Sequence, residues 1–495
     1  KAAQSAITHS GIYSGEDYDA TKVDMPWRKA IITSYNGLLE SQKNPPVKVH
    51  EEIAVNRVFK NAKGNWVYDL GQNFSGIIRV KLHGAKGKTV TFRPAELLNS
   101  DSTVNQSATG KYTLSYTLKG GESEEWSPKF TYYGFRYVQL EDAVPQEKSN
   151  PDSLPVVENL IGLHTCSSSP EVGTFNCSNR LFNRTFELID WAVRSNMQSL
   201  LTDCPHREKL GWLEEAHLMQ YSMQYRYDLE MLYHKIMGDM EDSQTSNGNI
   251  PTIAPEYVHF DGGFEDTPEW GSAFIICPWY VYKWYGDKSL LSKYYDNMKR
   301  MLSYLSSRED KDGIVAYGLG DWFDIGPDRP GVAQLTSNGV TATAIYYYDT
   351  KIMAETALLL DKQDDYTLYN NKAESIKQAF NKRYLNSDGY YDRNSQTANA
   401  MAVYMGLVPE NKKDIVMKHL VADIQSRGNS LTAGDVGYRY VVQTLKDNGY
   451  SQVINDMNSR YDVPGYGWQL SHGATALTES WQAYGFVSNN HLMLG

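Results

Sequence analysis

Thr202-Asp203-Cys204-Pro205-His206-Arg207-Glu208-Lys209-Leu210-Gly211-Trp212 sets carboxylates, bases, a helix breaker and an aromatic between two helical patterns. Upstream, Leu181, Phe182, Leu188, Ile189 and Ala192 recur at helical spacing; downstream, Trp212, Ala216, Met219 and Met223 do the same. Pro205 lacks an N–H and biases Cys204 toward extended backbone, which disfavours one continuous helix through the run. The carboxylates are therefore expected on a rigid turn at a helix end. In one reading Asp203 caps the next helix and Glu208 pairs with Arg207 or Lys209 on a solvated turn, a common and weak arrangement. In the other the run serves glycoside hydrolysis, where one protonated carboxyl group feeds the leaving oxygen and a second carboxylate works from the opposite face. The run supplies half of that machinery. Cys204 is read as packing beneath the loop, with an activated thiol nucleophile as the alternative.

The run resembles the Asp-Cys-Pro-Gln-Arg-Asp-Glu-Arg-Leu-Gly-Trp signature of the α-L-rhamnosidases of glycoside hydrolase family 78, in a form one residue shorter that carries His-Arg-Glu-Lys. Matched inward from both ends, the resemblance puts Glu208 on the family's general acid, Asp203 on its substrate-binding aspartate and Trp212 on its aromatic wall. Glu215 falls on an aspartate that binds sugar hydroxyls, and Glu214 and Glu215 rival Glu208 as the proton donor. Gly473-Ala474-Thr475-Ala476-Leu477-Thr478-Glu479-Ser480-Trp481 is similar to the family's Gly-Ala-Thr-Thr-Ile-Trp-Glu-Arg-Trp segment, which implies Glu479 as catalytic base. Asn490-His491 resembles an Asn-His pair whose histidine contacts the sugar.

Two further segments lie between these ends. Pro268-Glu269-Trp270-Gly271-Ser272-Ala273 resembles a Pro-x-Trp-Gly-Asp-Ala segment, and Gly320-Asp321-Trp322-Phe323-Asp324 resembles Gly-Asp-Trp-Leu-Asp. Each sets a tryptophan beside a carboxylate, a pairing in which the indole covers the C–H face of a sugar and the carboxylate takes its hydroxyl protons. The competing reading is a core Trp at a helix start with Asp as its cap.

Outward from these motifs the pattern changes near residue 165. Before it, β-rich runs at 64–70, 76–82, 88–92, 112–117 and 135–140 are punctuated by Gly and Asn/Ser turns, which predicts a β-sandwich. After it, helical patterns recur near 179–199, 212–225, 228–243, 270–286, 289–307, 338–361, 366–383, 412–426, 434–447 and 450–458, with shorter candidates around 397–406 and 475–484. Such amphipathic pairs must bury their apolar stripes against each other, in a closed ring of hairpins or an open superhelix. No repeat signature favours the superhelix. The resemblance specifies the ring as an (α/α)6 barrel preceded by a β-sandwich. Ile12-Tyr13-Ser14-Gly15-Glu16-Asp17-Tyr18-Asp19-Ala20 is similar to the tail of a preceding family module. The expected division is 1–50 as a remnant of, or linker from, an upstream β module; 51–165 as the sandwich; and 166–495 as the catalytic barrel, with truncation at its C-terminal end left open.

The 495 residues, 41% hydrophobic and 22% charged, suffice for two or more domains. An aromatic share of 12%, with 36 Tyr and 11 Trp, agrees with carbohydrate contacts but also with large cores. A net charge of −11 without a basic stretch argues against nucleic acid and acidic membrane surfaces. Cys166, Cys177, Cys204 and Cys277 show no paired CxxC spacing, so no metal and no cofactor is expected. Cys166 and Cys177 read as small buried hydrophobes, or as a bridge if the chain is exported. No apolar run reaches membrane-spanning length and no signal pattern stands at the N-terminus, so a soluble chain without membrane insertion is expected. Its compartment stays open, the periplasm and the cell exterior included, as does its oligomeric state.

The resemblance thus implies an exo-acting, inverting hydrolase for terminal α-L-rhamnose. Glu208 would protonate the glycosidic oxygen and Glu479 would activate water, with the two carboxyl groups about 6.5–9.5 Å apart. Asp203, Glu215, Asp321 and His491 would orient hydroxyls, and Trp212, Trp270 and Trp322 would form the walls. Arg207 and Lys209 flank the acid and oppose protonation if they point at it. Two other readings stay open: another helical-barrel glycosidase or lyase acting on acidic polysaccharide, marked by Arg and Lys in the pocket, and an inactive carbohydrate-binding relic.

Overall fold

The computed structural model describes residues 5–23, 26, 28–37, 39 and 41–495. The strands are β1 (Ile7–Gly11), β2 (Gly15–Asp19), β3 (Val47–Ala54), β4 (Arg57–Lys60), β5 (Trp66–Gly84), β6 (Thr89–Ala95), β7 (Leu97–Leu98), β8 (Val104–Asn105), β9 (Thr113–Thr117), β10 (Gly121–Trp126), β11 (Tyr133–Glu141), β12 (Val144–Pro145) and β13 (Val156–Ser167). The runs read at 64–70 and 76–82 are one strand, β5. Its first half pairs with β4 and β11 and its second with β10 and β13, so a single strand serves both halves of the sandwich. Gly71, at φ 79°, lets β5 depart from regular pleating between those halves. The apolar side chains of Phe74, Ile78, Val80 and Leu82 fill the core against Phe92, Phe135 and Val138. Within residues 1–50, β1 and β2 form a hairpin, and β2 runs parallel to β9 at the end of the sheet.

The helices are α1 (Arg180–Asn196), α2 (Leu213–Leu218), α3 (Gln220–Gln224), α4 (Glu230–Ser243), α5 (Pro268–Gly271), α6 (Ala273–Tyr285) and α7 (Ser289–Ser307). They continue with α8 (Asn338–Leu359), α9 (Gln363–Tyr384), α10 (Gln396–Tyr404), α11 (Lys413–Ser426), α12 (Asp435–Asp447), α13 (Ser451–Asn458) and α14 (Tyr466–Ser471). Contacts run from α2 to α6, α8, α10, α12 and back to α2, which closes an inner ring. The fold is an (α/α)6 barrel behind a β-sandwich. α8 is buried on nearly every side, as an inner helix must be. α9 instead buries only the stripe Tyr369, Ala373, Ile376 and Phe380, as an outer helix does. Burying a side chain such as Ile376 or Phe380 contributes about 1.5–3 kcal/mol.

Local sequence sets the helix ends. Asn179 caps α1 by accepting from the Leu181 N–H at 2.9 Å, and Ser395 caps α10 by accepting from Ala398 at 3.1 Å. The helix expected over 475–484 does not form. Its backbone is used by neighbours instead: Thr478 N–H donates to the Gln469 side chain at 3.1 Å, and Glu479 N–H donates to the Ser488 carbonyl at 3.0 Å. Among the described residues no helix is long and apolar enough to cross a membrane.

Candidate active site

The Asp203–Trp212 run is a loop between α1 and α2, closed on itself. The Asp203 N–H donates to the Leu210 carbonyl at 3.1 Å, the Leu210 N–H returns to Asp203 Oδ1 at 3.2 Å, and Lys209 takes φ 53°. From this turn Asp203 and Glu208 line a pocket, whereas His206 and Lys209 project toward the sandwich. Lys209 Nζ donates to the carbonyls of Ile12 and Tyr132, beneath the rings of Tyr112 and Tyr133. It therefore does not point at Glu208. Burial lowers its ammonium to about 7. The sandwich can approach this closely because Gly134 has no side chain; a Cβ there would stand 2.5 Å from Pro205 Cγ.

A second loop, from Thr475 to Met493, brings Glu479 and His491 to the same pocket. The two loops are stitched together by the Leu492 N–H donating to the Asp203 carbonyl at 3.0 Å. His491 Nδ1 accepts from the Met493 N–H at 3.3 Å, and its Nε2 lies 3.8 Å from Asp203 Oδ2. Burial drives this imidazole down to about 3, so it stands neutral with Nε2–H toward the pocket.

Glu208 is held at both oxygens: Arg207 Nη2 donates to Oε1 at 2.6 Å and the Trp212 indole N–H to Oε2 at 3.0 Å. Its side chain is 29% exposed, whereas Asp203, Glu214 and Glu215 are buried. Burial first, then repulsion from Glu208 and Glu215, pushes Asp203 well above the usual carboxylate range. Glu215 is raised by burial and by Asp435, Glu208 and Glu479. Glu214 is raised by burial and by Asp435, and Asp435 is raised by burial in turn. Glu479 is raised by burial, opposed by the Ser488 N–H that donates to its Oε2 at 2.8 Å. This dry, acidic lining can keep some carboxyl groups protonated and others ionised, the condition for acid and base work in one cleft.

Trp212, Glu215, Trp270 and Trp322 also line the pocket. Phe264 packs edge-on to both Trp212 and Trp322, at 6.2 and 5.4 Å between ring centroids, and joins the two walls. Asp321 is not among the lining residues. Its carboxylate accepts from Thr397 Oγ1 at 2.5 Å and from the N–H groups of Gly434 and Gly437 at 3.0 and 2.8 Å, so it anchors the start of α12 under the pocket floor. Sequence reasoning missed Phe264, Leu319 and Met493 as lining residues, and Asp435 as the partner of Glu214. The three lining residues stand outside the helical patterns, and Asp435, at the start of one, reads as an ordinary acidic first-turn residue. Cys204 is buried, and its thiol is raised well above its ordinary value by burial and by Asp203, which fits packing and not nucleophilic attack. The four cysteines are free.

Residues 170–495 match the bacterial α-L-rhamnosidase 6-hairpin glycosidase domain, and residues 59–159 match the bacterial α-L-rhamnosidase concanavalin-like domain. An α-L-rhamnosidase of Streptomyces avermitilis is 30% identical over 98% of this chain and 46% of its own length. One from Formosa agariphila is 27% identical over 97% of this chain and 53% of its own length. The chain thus spans about half the length of these curated relatives. Among solved structures, the α-L-rhamnosidase of Dictyoglumus thermophilum superposes with a TM-score of 0.90 at 33% identity, covering 99% of this chain and 56% of that one. The Streptomyces avermitilis enzyme complexed with L-rhamnose gives 0.89 at 28% identity, covering 99% and 48%.

Proposed function

The chain belongs to the bacterial α-L-rhamnosidase family, and on that premise we propose that it is an exo-acting, inverting glycoside hydrolase releasing terminal α-L-rhamnose from rhamnosides or plant-type polysaccharides. The observation that carries this reading is the convergence of Asp203, Glu208, Glu215, Glu479 and His491 on one aromatic-walled pocket. L-rhamnose in the Streptomyces relative supports the choice of sugar.

In this mechanism Glu208 gives its proton to the glycosidic oxygen as the C–O bond breaks, and Glu479 takes a proton from the water that attacks the anomeric carbon from the other side. The indole of Trp212 holds the acid in place. Asp203, Glu215 and the neutral His491 bind ring hydroxyls, while Trp212, Trp270 and Trp322 cover the methyl and C–H faces. Asp321 acts beneath the site by fixing α12, which carries Asp435. The division at residue 165 is supported by the end of β13 at Ser167 and the start of α1 at Arg180.

A lyase or glycosidase for acidic polysaccharide calls for Arg and Lys around the ligand; among the described residues the pocket lining holds carboxylates, aromatics and a histidine instead. The test is incubation of the native chain, Glu208→Gln and Glu479→Gln with p-nitrophenyl α-L-rhamnopyranoside, following nitrophenol and the anomer first released. Release of β-L-rhamnose by the native chain alone supports the acid, the base and inversion together. Binding of L-rhamnose without turnover supports a relic.

A further inference from the structure

The sandwich meets the pocket loops through one buried carboxylate. Glu96 follows the last residue of β6 and is 2% exposed. Its Oε1 accepts from Asn73 Nδ2 at 3.0 Å, and its Oε2 accepts from the Asn489 N–H at 2.8 Å, with His206 Nε2 3.3 Å away. These donors come from β5, from the Glu479 loop and from the Glu208 loop. A carboxylate taken out of water is costly unless donors surround it, and here the donors are drawn from the parts whose relative position sets the chemistry.

The connection to the reacting groups is short. His206 Nδ1 accepts from the Arg207 N–H at 2.5 Å, which leaves the proton on Nε2, directed at Ser488 Oγ at 2.7 Å and at Glu96. Ser488 Oγ donates onward to the Asn490 carbonyl at 3.0 Å. Two successive backbone amides then end on two carboxylates: Ser488 N–H on Glu479 Oε2 and Asn489 N–H on Glu96 Oε2, both at 2.8 Å. The far end of the same segment is tied to β5, since the Asn73 N–H donates to Thr475 Oγ1 at 2.9 Å and Gln72 Nε2 to the Thr475 carbonyl at 2.6 Å.

We propose that Glu96 is a positioning residue for the hydrolysis: from the sandwich, it fixes the loop of Glu479 against the loop of Glu208. The inference rests on the rhamnosidase reading above. The groups facing Glu479 are Glu208, which raises its carboxyl, Glu215, with which it shares a repulsion, and Arg207, which with the Ser488 amide lowers it; His206, with its single proton on Nε2, faces it as a neutral ring. Release of the Asn489 amide from Glu96 loosens the neighbouring Ser488 amide, so the carboxyl of Glu479 rises and is protonated at higher pH.

The experiment compares the native chain with Glu96→Gln, Glu96→Ala and Glu124→Gln on p-nitrophenyl α-L-rhamnopyranoside across pH, with thermal unfolding alongside. Glu124 is the control: it is also a buried sandwich carboxylate, but its donors Tyr116, Lys119 and Gly120 lie within the sandwich. Both Glu96 variants should lose about tenfold or more in kcat with KM changed less than about threefold, and the acid limb of kcat/KM should move up by about half a pH unit or more. Glu124→Gln should lower Tm and leave kcat and the limb in place. If Glu96→Ala does not fold, the near-isosteric Glu96→Gln decides on the same readouts. A folded Glu96→Gln with native kcat and an unmoved limb overturns the inference while leaving the rhamnosidase reading intact. An inactive native chain overturns both.

Discussion

The indole of Trp212 donates to Glu208 at 3.0 Å, so the wall of the pocket and one of its carboxylates are one unit built within four residues of a single loop. Trp212→Phe keeps the ring surface and removes the donor. With Arg207 still on the other oxygen, we expect kcat for p-nitrophenyl α-L-rhamnopyranoside to fall about tenfold, the equivalent of one hydrogen bond to a charged group, with KM changed little. A loss of the same size in KM alone would assign Trp212 to binding only.

Glu479 must be ionised to work as a base, and burial holds its carboxyl above the ordinary range. Activity should therefore fail on the acid side at a higher pH than a solvated glutamate would impose. The acid limb of kcat/KM checks this. Glu479→Gln should abolish the limb together with turnover.

Glu214 and Asp435 are both raised, so the folded protein holds more protons than the unfolded chain once pH passes the ordinary carboxylate range. Stability from these groups is fully present below that range and declines as pH rises through it toward their folded values. Glu214→Gln, which carries its own donor permanently, should raise Tm by about 2 °C at pH 7 and leave it unchanged near pH 4. Scanning calorimetry at the two pH values measures the difference.

Asp321→Asn leaves one of the donors Thr397, Gly434 or Gly437 facing an NH2 group in a dry setting. The expected cost is about 1–3 kcal/mol in denaturant unfolding. Folded Asp321→Asn should retain the native KM, since no sugar contact is removed; a large rise in KM would instead place Asp321 in direct contact with substrate.

The site was legible where chemistry is contiguous. Asp203, Glu208, Trp212 and Glu215 stand within thirteen residues, and the sandwich-then-helices order followed from periodicity. Asp321 and Trp322 show the limit of that reading. They are neighbours in one segment, yet the indole lines the pocket while the carboxylate accepts from the amides at the start of α12. Which way each points depends on backbone angles that composition does not carry. Phe264, Leu319 and Met493 were illegible because loops have no period. Glu96 was illegible because a glutamate after a strand is ordinarily solvated, and its donors lie up to 393 positions away. The helix expected over 475–484 failed for a more local reason: Gln469 and Ser488, each nine positions from the group it binds, took the backbone N–H groups of Thr478 and Glu479.

The bond from Leu492 to Asp203 has a consequence for biogenesis. A pocket whose two halves are separated by nearly three hundred residues forms only once the Glu479 loop has docked against the Glu208 loop, even when the sandwich and the first hairpins have already collapsed. Until that loop docks, the acidic wall of Asp203, Glu214 and Glu215 is open to water, and its burial on docking shifts these carboxyl groups toward the protonated form. Closure of the pocket is thus linked to an uptake of protons from solvent and is favoured less as pH rises.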